Sequence, residues 1–204
     1  MGLISNGTTV FDAGSMASGF GGSMTFIKKV TASSSATISF VDGTSDVVLD
    51  NTYKEYLFTF NNIHPATNAA TLTFQGNAAG GSGYNETITS TYFQAEHNEA
   101  GTGTNLRYRT EYDQAQGTSF QTICGGIGNG NDECGSGYLH LFNPSDTTFV
   151  THFLSNISIY ENSDYNENIF TGGYFNTTSA IDEIQFKMSS GNIDAGDICL
   201  YGIS

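Results

Sequence analysis

The sequence predicts an all-β protein: a jelly-roll-like antiparallel β-sandwich with an extended N-terminal arm. Three observations carry this reading. Apolar and polar residues alternate along many short runs, the period-2 signature of strands with one buried face. No window of helical length holds an apolar stripe at i, i+3, i+4 and i+7. Clusters of Gly, Asn, Asp and Ser punctuate the runs at short intervals, as turns between strands do. A chain of 204 residues is long enough to bury a sizeable core in one domain.

Residues 1–23 are rich in Gly and Ser and show no sustained period. Five large apolar residues nonetheless call for burial there: Leu3, Ile4, Val10, Phe11 and Phe20. We read this stretch as an assembly arm, set apart from a single sandwich domain over residues 24–204. The arm either docks on a neighbouring subunit or folds back over an edge strand of its own sandwich.

From Met24 the alternation sharpens. Met24–Val30 and Ala36–Val41 read as strands, and Asp42-Gly43 as a turn. Tyr53–Ile63 is the clearest long strand, with Tyr56, Phe58 and Phe60 on one face and Pro65 ending it. Thr71–Gln75 reads as a short strand and Asn77–Gly83 as a loop of small residues. Glu86–Glu96 and Leu106–Tyr112 follow as strands. In the second of these, Leu106, Tyr108, Thr110 and Tyr112 face one way, and Arg107, Arg109 and Glu111 the other. Phe120–Ile123 leads into a glycine-rich loop between Cys124 and Cys134. Further strands fall at Tyr138–Phe142, Phe149–Tyr160 and Ile169–Phe175. An internal echo accompanies them. Tyr56-Leu57-x-x-Phe60-Asn61 recurs 82 residues later from Tyr138, Tyr84-Asn85-Glu86 recurs 81 residues later from Tyr165, and Tyr92-Phe93 recurs 82 residues later as Tyr174-Phe175. The repeated order suggests two similar halves of about four strands each, which suits a jelly roll's two Greek keys.

The chain closes on Ile181–Ser204. Ile184, Phe186 and Met188 alternate with Glu183, Gln185 and Lys187, Ser190-Gly191-Asn192 turns, and Ile198-Cys199-Leu200-Tyr201 runs to the end. So apolar a final run reads as a strand buried inside a sheet, with Cys199 a buried thiol. The ending G-D-I-C-L-Y-G-I after I-x-F-K-M-S-S-G resembles the close of a family of virion structural proteins from marine tailed phages. The resemblance extends to Ala36-Thr37-Ile38-Ser39-Phe40 and to Asn61-Asn62-Ile63-His64-Pro65-Ala66-Thr67, and covers about residue 24 to the end. It implies a structural role in a phage particle, with other virion proteins and copies of the chain itself as partners. It brings no catalytic residue and no cofactor.

Charge narrows the function classes. Six Lys plus Arg stand against twenty Asp plus Glu, for a net charge of −14. Phosphate-backbone binding needs clustered basic residues, so nucleic acid is not the expected partner, nor is an anionic membrane. No run approaches the ~18 apolar residues of a membrane span, and the N-terminus lacks the basic and apolar regions of a signal peptide. The expected location is the virion, after synthesis in the host cytoplasm. Four Asn-x-Ser/Thr sites, at Asn6, Asn85, Asn156 and Asn176, are expected to stay bare without a secretory route.

No catalytic signature is present, and the reading is non-enzymatic. His64, His97, His140 and His152 lie in separate segments without ligand spacing. Asp42, Asp46 and Asp50, and Asn131, Asp132 and Glu133, form loop clusters that read as solvated acids rather than a calcium site. Cys124 and Cys134 flank nine residues, four of them Gly, and could close a hairpin mouth as a disulfide. Such a bridge would stabilise by on the order of 2–3 kcal/mol and would form only outside a reducing cytoplasm. The expected function is a non-enzymatic exposed accessory subunit of a tailed-phage virion, a head decoration or a fibre/appendage protein. A major capsid protein would need a long helix, and none is visible. The rival is a carbohydrate-binding module for host-surface glycans, built from Tyr- and Asn-rich loops on a sandwich.

Overall fold

The computed structural model describes residues 3–6, 8–12, 15–16 and 23–204. Its described residues form sixteen strands, and every pairing between them is antiparallel. Three belong to the arm: β1 (Leu3–Ser5), β2 (Thr8–Asp12) and β3 (Ser15–Met16), paired in that order as a sheet of their own. The arm's described strands pair with one another, and among the described residues they share no ladder with the rest of the chain.

Eight strands build the sandwich: β4 (Met24–Thr31), β5 (Ile38–Val41), β6 (Glu55–Pro65), β7 (Ala70–Ala78), β11 (Gln121–Ile127), β12 (Gly135–Phe142), β15 (Ile181–Met188) and β16 (Ile193–Ile203). One sheet runs β4-β16-β6-β12 and the other β5-β15-β7-β11. Counted along the chain, these orders are 1-8-3-6 and 2-7-4-5, the connectivity of two interlocked Greek keys. The expected jelly roll is present. The closing strand β16 lies between β4 and β6, an interior strand as its sequence predicts.

Five further strands leave this core in two excursions. β8 (Ile88–Asn98), β9 (Thr104–Tyr108) and β10 (Ala115–Gly117) lie between β7 and β11 in the chain; β13 (His152–Glu161) and β14 (Tyr165–Phe175) lie between β12 and β15. Both excursions extend the first sheet past β12, in the order β12-β13-β14-β8-β9. The two sheets touch through strand pairing only at Ile127↔Glu161.

The core is an aromatic layer between the sheets. Phe40, Phe74 and Phe186 of the second sheet meet Phe58, Phe60, Phe153 and Phe175 of the first. Most contacts are edge-to-face, such as Phe74–Phe153 at 5.0 Å and 86°, the arrangement favoured by the ring quadrupole. In β6 the alternation puts Tyr56, Phe58 and Phe60 inward, then breaks at Asn61 and Asn62, both exposed. Asn62 has left-handed backbone at φ +51°, and the register with β12 and β16 shifts there. This bulge restores Ile63 to the core. Gly196 faces it at φ +112°, where a Cβ would come within 2.6 Å of the Asn62 carbonyl oxygen.

Some boundaries differ from the sequence reading. β7 runs on to Ala78 because Gln75 and Asn77 are buried rather than looped out. The Gln75 amide donates to the carbonyls of Glu86 and Ser119, both at 3.0 Å, which pins two loops over the outside of the second sheet. β9 stops at Tyr108, and Arg109–Tyr112 turns back so that Tyr112 packs on Tyr92 at 5.0 Å. The echoed motifs occupy unlike places: Tyr56 and Phe60 are buried, whereas Tyr138 is 43% exposed and Leu139 and Leu141 are the buried side chains of that strand. Their shared spacing does not mark equivalent positions.

Candidate functional site

The extended first sheet has two faces with different chemistry. Residues opposite one another in antiparallel pairs point to the same side, so registers trace rows across the sheet. One outward row reads Tyr108, Phe93, Phe170, Asn156, Tyr138 across β9, β8, β14, β13 and β12. Phe93 and Phe170 stack at 5.1 Å and 9° and are 42% and 39% exposed. Leu154 and Leu106 stand in the neighbouring rows, and Phe26 and Met24 on β4 carry the apolar surface to the far edge. The inward neighbours Tyr92, Ile169, Ile157 and Leu139 are fully buried, so at this row the outward aromatics lie over an apolar inner layer. Beside the aromatic row lies a groove of about 420 Å³ lined by His97, Ser136, Ser158, Tyr160 and Asn166.

The inward face of the excursion carries a second site. Glu96 of β8 and Glu167 of β14 are direct cross-strand partners, and both are buried. The fully buried Gln94 amide donates to both, at 3.0 Å to Glu96 Oε2 and 2.7 Å to Glu167 Oε1. Glu96 Oε1 accepts from Asn105 at 2.8 Å and pairs with Arg107 at 2.5 Å. Glu167 lacks such a partner. Desolvation, reinforced by the nearby Glu161 and Glu96 charges, raises its pKa to about 7. Arg109 pairs with Glu111 at 2.7 Å and lies over the Tyr112 ring at 4.9 Å. Both arginines of the chain and three carboxylates, Glu96, Glu161 and Glu167, thus line one polar pocket of about 220 Å³. Chemically this is a carboxylate pair split by environment, one member paired with Arg107 and the other keeping its proton near neutrality.

Comparison with protein-family models, with curated proteins and with solved structures finds no match.

The residues singled out by sequence are dispersed. Cys124 is buried in β11 opposite Leu72, and Cys134 precedes β12. β13 stands between β11 and β12 in the strand order, and both thiols are free in this structure. Burial pushes the Cys124 thiol up to about 12. Of the arm residues, Ile4 is 62% exposed; Leu3, Val10 and Phe11 are placed by backbone in β1 and β2; Phe20 lies outside the described residues. The loop acids are used locally: Asp42 accepts from the Leu49 amide and Asp50 from the Thr52 amide, each at 2.8 Å. Among the described residues no group of His, Cys, Asp and Glu is placed to hold a metal ion.

Sequence reasoning missed the carboxylate pair. Its local signal was legible, because Glu96 stands two and four residues beyond the inward Gln94 and Tyr92, and Glu167 two before the inward Ile169. An acid at an inward parity of a strand is the sign to look for. That the two acids oppose each other is set by the β8–β14 register.

Proposed function

We propose that this chain is a non-enzymatic structural component of a tailed-phage virion, an exposed accessory subunit of the head decoration or fibre/appendage kind. The observation that carries the reading is the jelly-roll connectivity with an apolar, aromatic outward sheet face, since jelly rolls serve as capsid and lectin domains and large exposed apolar faces mark association sites. The resemblance of the closing strands to tailed-phage virion proteins supports it. Both Glu96 oxygens are engaged by protein donors, which favours a structural use of the carboxylate pair. The test is particle composition. The chain should co-purify with intact particles through a density gradient in fixed stoichiometry; its presence only in the soluble lysate overturns the reading.

A carbohydrate-binding module is the second reading. It is favoured by the groove lined with His97, Ser136, Ser158 and Asn166 beside the stacked Phe93 and Phe170, which offers amide, hydroxyl and aromatic partners together. A glycan array with the purified chain should give a defined set of binders, and a Phe93→Ala variant should lose them.

A further inference from the structure

We infer that the outward face of the extended sheet, from β9 to β4, is the surface on which a second copy of this chain docks. Among the described residues, ten large apolar side chains are exposed by more than a third of their surface, and eight stand on this face: Met24, Phe26, Phe93, Leu106, Tyr108, Tyr138, Leu154 and Phe170. The two others, Ile4 and Phe149, lie outside its strands. The strand alternation of a half-solvated antiparallel sheet calls for polar residues here. Eight of those positions carry exposed large apolar side chains instead.

The size of the face argues for a protein partner. Eight strands at ~4.8 Å spacing and four rows of outward residues give a footprint on the order of 800 Å². A stable complex buries about 800 Å² per partner, while the largest apolar patch of a typical monomer is about 300–600 Å². Leu106, Leu154 and Met24 also widen the patch well beyond the aromatic row that a sugar could stack on.

The charge distribution argues for a copy of the same chain. Two molecules of net charge −14 repel wherever acids are dense. No Asp, Glu, Lys or Arg occupies an outward position of β12, β13, β14 or β8, so identical copies can meet there without opposing like charges. A basic partner would gain nothing from this neutral centre; the outward charges Glu55, Asp197 and Lys29 enter only on β6, β16 and β4, paired with His140 or with each other. The same face presented twice forms an isologous, two-fold contact of sheet on sheet.

This inference deepens the structural-subunit reading and rests on it only in taking the partner to be another copy; particle co-purification and self-association are measured separately and fail separately. Sedimentation of the full chain between about 1 and about 100 µM should reveal a species of twice 21.8 kDa. Phe170→Glu and Leu154→Glu each place a charge at an exposed position and should weaken association about tenfold or more. Their far-ultraviolet spectra and melting should match the parent, and either variant suffices if the other fails to fold. Phe149→Glu, at a residue 72% exposed outside the face, should associate as the parent does. A parent chain that stays monomeric across the range overturns the inference, as does unchanged association of both folded face variants. A monomer whose glycan binding is lost on Phe170→Glu would assign the face to glycans and equally overturn it.

Discussion

At the scale of single residues, two side chains carry testable consequences. Phe186 is fully buried and meets Phe40, Phe58, Phe60 and Phe74, so it links strands of both sheets. Phe186→Ala removes those contacts and leaves a cavity that its rigid ring neighbours fill poorly. The expected cost is about 3–5 kcal/mol, read as a lower midpoint in urea. Glu167 sets a pH dependence. Its folded pKa is raised to about 7, against an ordinary value of 4.5. Between those values the folded state holds a proton that the unfolded chain has released, so this group's contribution to stability falls as pH rises through that window. Glu167→Gln keeps the shape of the neutral acid and cannot ionise. It should melt near the parent at pH about 5 and above it at pH about 8, with the gap opening through the window. An equal gap at both values would show that Glu167 is ionised in the fold throughout.

At the scale of elements, the closing strand decides most. β16 pairs with β4 on one side and β6 on the other, and its Ile193, Ile198 and Leu200 are fully buried. Truncation after Gly196 removes the ladder from Asp197 onward on both sides. It also strips the backbone partners of β4, which is left without a neighbour. Unpaired buried backbone and lost apolar burial together exceed the ~5–15 kcal/mol net stability of a domain. The shortened chain should be insoluble, or compact without a cooperative melt. A soluble product with a sharp transition would mean that β4 and β6 close the sheet without it.

At the scale of the whole molecule, the arm strands and the sandwich share no ladder among the described residues. The eight-stranded jelly roll has its own aromatic core, and among the described residues every large fully buried side chain lies beyond residue 39. Deleting residues 1–22 should therefore leave the melting temperature within about 2 °C of the full chain, well inside the shift that a 1 kcal/mol loss produces in a protein of this size. A fall of several times that would place the arm's apolar residues in the folding core. The excursions have the opposite character. β13 and β14 are stitched between β12 and β8 along full-length ladders, so they belong to the same cooperative unit as the sandwich.

Period-2 alternation made the strands, the jelly-roll class and the buried face of each clear run legible: Tyr56, Phe58, Phe60, Ile184 and Phe186 point inward as their spacing says. The interior place of β16 was legible too, because a terminal run of Ile, Cys, Leu and Tyr has no other way to leave water. Alternation is a local property, however, and it does not say which strands are neighbours. Placing Glu167 opposite Glu96, and Gln94 within reach of a carboxylate 73 residues away, took the β8–β14 register. Separating Cys124 from Cys134 took β13, which enters the sheet between their strands from a later part of the chain. Aligning Tyr108, Phe93, Phe170 and Tyr138 into one row took four ladders at once. Each side chain's face follows from its own strand, whereas the rows and pockets follow from non-local pairing, which is fixed only when the two sheets close on their shared aromatic core.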